Sequence, residues 1–403
     1  MRPTNRTSAS LLPVTVVRNT RLQGLRCLHC AARYPIQAVH DGCPACRQQD
    51  VHVSLCADYL PGDSSHHLPY IQSVSLGEGN TPLLDKPALA ALAGVAQLKI
   101  KDESCNPTGS HKDRMSALGI SQALELGAHT VVLASSGNAA VSAARYAHAC
   151  GLGCEVATYD SMPAAYVAQL DAYGAKRVMF GDNAGRWNFV RERAASPGYF
   201  ALTNYYLPAL GSAPLAIEGY KNIAYECHAG GYLPGHIMVP TARGDLAWGI
   251  YAGFADLLAA ERITALPKIW IVEPFDRLTQ VLAGHPLHAS YAGNTAQFST
   301  AGATVTYLQW QAAHRSGGGA VVVPDAAAQQ ARRVLQQHGI DPELCAAAGF
   351  GAVQVLRAKG GIDADASVMC VLTANASKDP SWPMCEEPGE LGESGEPRVS
   401  GTT

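Results

Sequence analysis

From residue 97 onward, short apolar runs alternate with longer segments whose apolar residues recur every three or four positions. The runs at 97–103, 129–135, 154–159, 176–180, 236–240, 268–274 and 367–373 read as buried strands. The longer segments at 111–127, 138–151, 162–174 and 245–260 read as helices. Buried strands alternating with helices build parallel sheets with helical crossovers, so the pattern predicts an α/β fold. Such folds place ligands at joints where a strand turns into a helix. Upstream the pattern is weaker. Residues 1–24 are polar and unpatterned, and are expected to form a loose arm. Residues 25–50 form a small cysteine-bearing module, and 51–96 a linker with a turn-rich entry, "GEGNTPLL". The body is expected over 97–378, with a smaller lobe at roughly 115–225. The stretch 379–403 is rich in Pro, Gly, Glu and Ser and has little to bury, which predicts a disordered tail.

Composition narrows the class. The 403 residues are 47% hydrophobic, enough for a large core, and the net charge is −3. That balance gives no footprint for nucleic acid or an anionic membrane. No apolar run reaches the roughly 20 residues a spanning helix needs. The stretch "SLLPVTVV" is short and broken by Pro13, unlike a signal peptide. A cytoplasmic location is the default expectation. Among twelve cysteines, Cys27, Cys30, Cys43 and Cys46 have C-x2-C-x12-C-x2-C spacing. Two such knuckles can close four thiolates around one structural zinc, with no position left open for chemistry. The other cysteines read as small core residues.

Three joints and one lysine carry the candidate chemistry. In "ASSGNAAVSAARYA" (134–147) a strand ends, Ser-Ser-Gly-Asn turns the chain and a helix starts, exposing N–H groups that attract an anion such as a carboxylate. In "VPTARGDLAWG" (239–249) Gly244 permits close backbone approach before a helix, although Asp245 is a like charge for any phosphate there. In "VLTANASKDP" (371–380) Thr373 ends an apolar strand. Lys112 lies in "NPTGSHKDR", between a Gly-Ser turn and an Asp-Arg pair.

With "GEGNTPLL", "KDESCNPTGSHKDR", "EGYKNIAYE" (218–226) and "RGDLAWGIYAGF", these motifs fall in one order over about residues 25–380. The chain resembles the threonine-synthase branch of the fold-type-II pyridoxal-phosphate enzymes. The resemblance implies two α/β lobes with the cofactor between them, an N-terminal zinc ribbon and a small amino-acid substrate. A homodimer is the expected assembly. It makes Lys112 the catalytic Schiff-base lysine. Asn138 would bond the ring's phenolic oxygen, and Thr373 would meet the pyridine nitrogen. The loop Thr241, Ala242, Arg243, Gly244, Asp245 and Leu246 would hold the pyridoxal 5′-phosphate. Ser135, Ser136 and Gly137 would face the substrate carboxylate, with Asn204 as a further polar contact. A neutral hydroxyl at the ring nitrogen weakens the electron sink and suits elimination and replacement.

The chain also departs from that branch. Threonine synthases act on O-phosphohomoserine and bind its phosphate. Their usual Thr after the Ser-Ser-Gly-Asn turn is Ala139 here, and their usual Arg two residues before Glu-Gly is Ala216. Their Gly-Asn-x-Gly-Asn loop is "TARGD". These changes predict a lyase or synthase acting at Cβ or Cγ of another small amino acid, with an uncharged leaving group such as acetyl. Alternatives are threonine synthase proper, a β-replacement enzyme making cysteate or diaminopropionate, and an inactive homologue with a binding role.

Overall fold

A computed structural model describes residues 14–36, 40–60 and 67–379. The expected tail beyond Asp379 and the first thirteen residues lie outside these.

Two sheets carry the body. The smaller has four parallel strands in the order Lys176–Met179, Gly153–Thr158, Thr130–Ala134 and Tyr199–Ala201. The larger has six, in the order Gly319–Val322, Lys268–Glu273, His236–Pro240, Ser367–Leu372, Gln97–Asp102 and Leu83–Asp85. Only the last pair of the larger sheet is antiparallel. Past their first residues, strands such as His236–Pro240 and Ser367–Leu372 are buried, as strands covered by helices on both faces must be.

The chain starts the large sheet, leaves to build the small lobe, and returns. The lobes are joined by helix packing: Lys112–Glu125 lies against Asn138–Ala149 and Pro214–Ile217, and Lys221–Ala229 against Asp245–Ala259. Residues 113–123 of the first helix are all buried.

The N-terminal module is larger than its 25–50 expectation. Leu22–Cys27 pairs antiparallel with Arg33–Tyr34 and with Leu55–Tyr59. The arm expected over 1–24 already carries the strand Val17–Arg18, paired with Tyr70–Gln72. The module's small core includes Leu215 and Tyr307 from the body, so it is docked rather than tethered. The four sulphurs of Cys27, Cys30, Cys43 and Cys46 lie within 4.8 Å of one another. Two Sγ–Sγ pairs, Cys27–Cys46 and Cys30–Cys43, are each 3.6 Å apart. Thiolates about 2.3 Å from a central zinc stand about 3.8 Å apart at tetrahedral corners, so the set fits that ion. Despite the cost of burial, hydrogen bonds from the Tyr34 hydroxyl and the Cys46 N–H hold the Cys43 thiol down to about 7. Burial and the neighbouring thiols push Cys46 up. Among the described residues, no helix is long and apolar enough to cross a membrane.

Candidate active site

The carboxyl ends of both sheets face one cleft with a cavity of about 510 Å³. Its wall includes Lys112, Ser135, Ser136, Gly137, Asn138, Asn204, Thr241, Ala242, Arg243, Asp245 and Thr373. Two expected residues are not on the wall. Gly244 adopts φ +83°, and a Cβ there would come within 2.4 Å of the Gln309 Cβ, so this glycine serves close packing. Leu246 is a core side chain.

Lys112 is placed by contacts on either side of it. Gly109 turns the chain with φ +75°, tight against the Asn375 amide. Ser110 bridges to Ala374, and the His111 N–H donates to the Thr373 carbonyl at 2.9 Å. Lys112 and Thr373 are thereby joined across most of the sequence. Asp113 is buried and accepts from the Thr108 N–H, the Thr108 hydroxyl and the Ser142 hydroxyl, each at 2.6 Å. Arg114 donates to Glu103 at 2.6 and 2.8 Å and to Glu226 at 2.6 and 2.8 Å. Lys101 joins the same Glu226 at 2.6 Å. The Asp and Arg beside Lys112 therefore hold its loop rigid. Burial pushes the Lys112 ammonium pKa down, Asp245 and Glu343 oppose the shift, and Arg243 adds to it. A lysine so placed is a better nucleophile and base than a solvated one.

Opposite stands the turn 135–137 and the twelve-residue helix Asn138–Ala149. Asn138 donates through Nδ2 to the Glu343 carboxyl at 2.9 Å, and its buried Oδ1 has no partner among the described residues, nor has the Ser136 hydroxyl. Gly137 faces Phe298, whose ring a Cβ would approach to 3.2 Å. Asn204 lines the cavity, but its amide is spent on its own turn. It accepts from the Leu210 N–H at 2.8 Å and donates to the Tyr206 carbonyl at 3.0 Å. Asp245 is likewise engaged, accepting from the Ser212 hydroxyl at 2.6 Å.

Several wall residues escaped the sequence reading. Glu343 is 2% exposed, holds Asn138 and accepts from Ser299, and burial raises its pKa. It precedes an apolar helix, and nothing in the local pattern marks it. Arg186 and Trp187 come from the helix Asn183–Ala194, whose sequence "NAGRWNFVRERA" is mostly polar and buries only Trp187, Val190 and Ala194 as an apolar stripe.

Comparison with known proteins agrees with this geometry. Residues 74–374 match the family described as "Pyridoxal-phosphate dependent enzyme". The chain is 31% identical to the threonine synthase of Synechocystis sp. over 84% of this chain and 86% of that one. It is 30% identical to the threonine synthase of Methanosarcina acetivorans over 90% and 95%. Solved structures with the same fold include the L-serine ammonia-lyase of Rhizomucor miehei, with a TM-score of 0.63 at 18% identity over 76% of this chain and 95% of that one. The diaminopropionate ammonia lyase of Escherichia coli gives 0.63 at 20% over 76% and 86%. Motif order, cleft and fold agree: the chain belongs to the pyridoxal-phosphate-dependent enzymes of fold type II, in their threonine synthase-like branch.

Proposed function

We propose that the protein eliminates or replaces a leaving group at Cβ or Cγ of a small amino acid, with pyridoxal phosphate as cofactor. The observation that carries this reading is the convergence of Lys112, Asn138 and Thr373 on one cleft. The residues present fit the cofactor. The loop 241–245 opens onto the fifteen-residue helix Asp245–Ala259, whose N-terminus has no side-chain cap. Among the described residues, the Ser136 hydroxyl and Asn138 Oδ1 have no partners. A phosphorylated ring with polar substituents satisfies such groups.

Lys112 would attach the cofactor, Asn138 and Thr373 would meet its ring, and the loop its phosphate. When bound, the cofactor supplies the electron sink for cleavage at Cα. The chain's own work is then positional and protonic. The turn 135–137 orients the substrate carboxylate. Lys112 takes the proton from Cα and is positioned to return it. Glu343 keeps Asn138 in place.

The test is a panel of O-phospho, O-succinyl and O-acetyl esters of homoserine and serine, assayed for ammonia, keto acid and amino-acid product. Turnover of at least one, lost in Lys112→Ala, is the expected result. Turnover that survives Lys112→Ala, or none on any ester, would overturn the reading. A second reading, threonine synthase itself, is favoured by the relatives at 30% and 31% identity. It requires phosphate contacts from somewhere other than residues 139 and 216.

A further inference from the structure

The cavity wall carries three cations, Lys112, Arg186 and Arg243, against two carboxyl groups, Asp245 and Glu343. Both carboxyl groups are engaged elsewhere, Asp245 by Ser212 and Glu343 by Asn138 and Ser299. Neither arginine makes an ion pair among the described residues.

Arg186 is 6% exposed. Its Nε donates to the Ala157 carbonyl at 3.1 Å, one terminal nitrogen reaches Asn183 Oδ1 at 3.5 Å, and the guanidinium lies 4.2 Å from the centre of the Tyr159 ring. Arg243 is partly buried, lies 5.1 Å from the Trp187 ring centre, and its Nε has no acceptor among the described residues. Burial holds its pKa down to about 10, with Asp245 opposing and Arg186 and Arg277 adding repulsion. Ring faces recover only part of what two desolvated guanidinium groups lose without an anion. Two adjacent residues of one small-lobe helix, Arg186 and Trp187, are thus set against an arginine from the large-lobe loop, and Ser161 and Asn183 line the same end of the cleft.

We propose that Arg186 and Arg243 form an anion subsite, spanning the two lobes, for an acidic group at the end of the substrate's side chain. The inference rests on the reading above and names its substrate class: an amino acid whose leaving group bears a phosphate, or the carboxylate of an acyl ester. It replaces the expectation of an uncharged leaving group such as acetyl. The positions that threonine synthases use supply nothing here. Ala139 offers a methyl, and Ala216 is fully buried and off the cavity wall. Arg243 stands at the edge of the loop proposed for the cofactor's phosphate, and Arg186, from the opposite lobe, lies outside that loop. Both guanidinium groups stay charged through the working pH range, and their planar forks suit an oxyanion.

The test compares the cofactor-loaded wild type with Arg186→Gln and Arg243→Gln. Specificity is read as the ratio of kcat/KM for O-phospho-L-homoserine or O-succinyl-L-homoserine to that for O-acetyl-L-homoserine. Each substitution is expected to lower one of these ratios about 30-fold, with Arg186→Lys retaining part of it. A readout independent of turnover is binding of O-phospho-L-serine followed by intrinsic tryptophan fluorescence, and Arg186→Gln should weaken that binding at least about tenfold. Cofactor affinity, measured by visible absorbance, separates the two phosphates. If Arg243→Gln weakens cofactor binding and leaves both ratios unchanged, Arg243 serves the cofactor and the pair is overturned. Unchanged ratios and unchanged O-phospho-L-serine binding in Arg186→Gln overturn the subsite while leaving the proposed reaction class standing. Loss of all turnover in wild type with intact, Arg186-dependent O-phospho-L-serine binding overturns the reaction class and supports the subsite.

Discussion

Arg114 grips Glu226 with both terminal nitrogens, at 2.6 and 2.8 Å, and so ties the loop that carries Lys112 to the helix that leads out of the small lobe. Glu226→Leu leaves Arg114 with one carboxylate and Lys101 with none. Breaking a buried pair from one side typically costs about 3–5 kcal/mol. Urea unfolding should show a loss of that size, with weaker cofactor retention. A loss under 1 kcal/mol would mean that the network is dispensable.

Glu343 fixes the Asn138 amide at 2.9 Å. Glu343→Ala frees it and should weaken cofactor binding about tenfold, the equivalent of about 1.4 kcal/mol. Glu343→Gln, which can still accept from Asn138, should recover most of that. Titration with pyridoxal phosphate followed by absorbance decides, and equal affinities in all three proteins would remove Glu343 from the site.

The thiol cluster should contain one zinc per chain. Cys43→Ser is expected to lower both the metal content and Tm, by at least about 5 °C, because binding free energy of a structural metal is folding free energy. Metal analysis and scanning calorimetry read the two effects. A chelator-treated wild type should behave the same way.

Two buried histidines set an acid limit. Burial pushes His40 down to about 4, while burial and then Lys112 push His111 well below the ordinary value. A unit or more above the ordinary value of about 6.5 both are neutral, folded or unfolded, and stability does not depend on them. As pH falls toward and through that value the unfolded chain binds the extra protons, so stability falls as pH drops. His40 alone accounts for up to about 3 kcal/mol by pH 4. Equilibrium unfolding between pH 7 and 4.5 should follow this sign, and a flat profile would refute it.

Restoring the threonine-synthase residues should not be symmetric. Ala139 lines the cleft, so Ala139→Thr should fold normally. Ala216 is fully buried, close to Gly119, where a Cβ would lie 3.2 Å from the Ala216 Cβ. Ala216→Arg buries an unpaired charge in a filled core and should cost more than about 3 kcal/mol. Thermal melts of the two variants compare them directly.

Much of the body was legible in the sequence because the middle strands of its sheets are mostly buried and its helices long. Strands at 97–102, 236–240 and 367–372 fall within a residue of their apolar runs. The helix Asn183–Ala194 was missed because its polar residues outnumber its core contacts, and Arg186 and Trp187 were lost with it. Lys112, Asn138 and Thr373 stood at joints that sequence can mark. Glu343 did not, since its importance comes from Asn138, 205 positions away. The two alanines, 139 and 216, looked equivalent in sequence. Only packing shows that one faces the cleft and the other the core.

The strand Ser367–Leu372 lies between His236–Pro240 and Gln97–Asp102, in the middle of the large sheet. During synthesis, Gln97–Asp102 leaves the ribosome long before this partner exists. At typical elongation rates of 5–20 residues per second, its inner edge waits roughly 10–50 s for pairing. The small lobe, whose strands are near in sequence, can settle in that interval, whereas the large sheet depends on a late, long-range insertion of the kind that slows folding. Thr373 arrives with that strand, and with it the anchor of the Lys112 loop. A nascent chain released before Thr373 would present an open sheet edge and an unanchored lysine. Competence to hold the cofactor therefore doubles as a report that translation has run through the body.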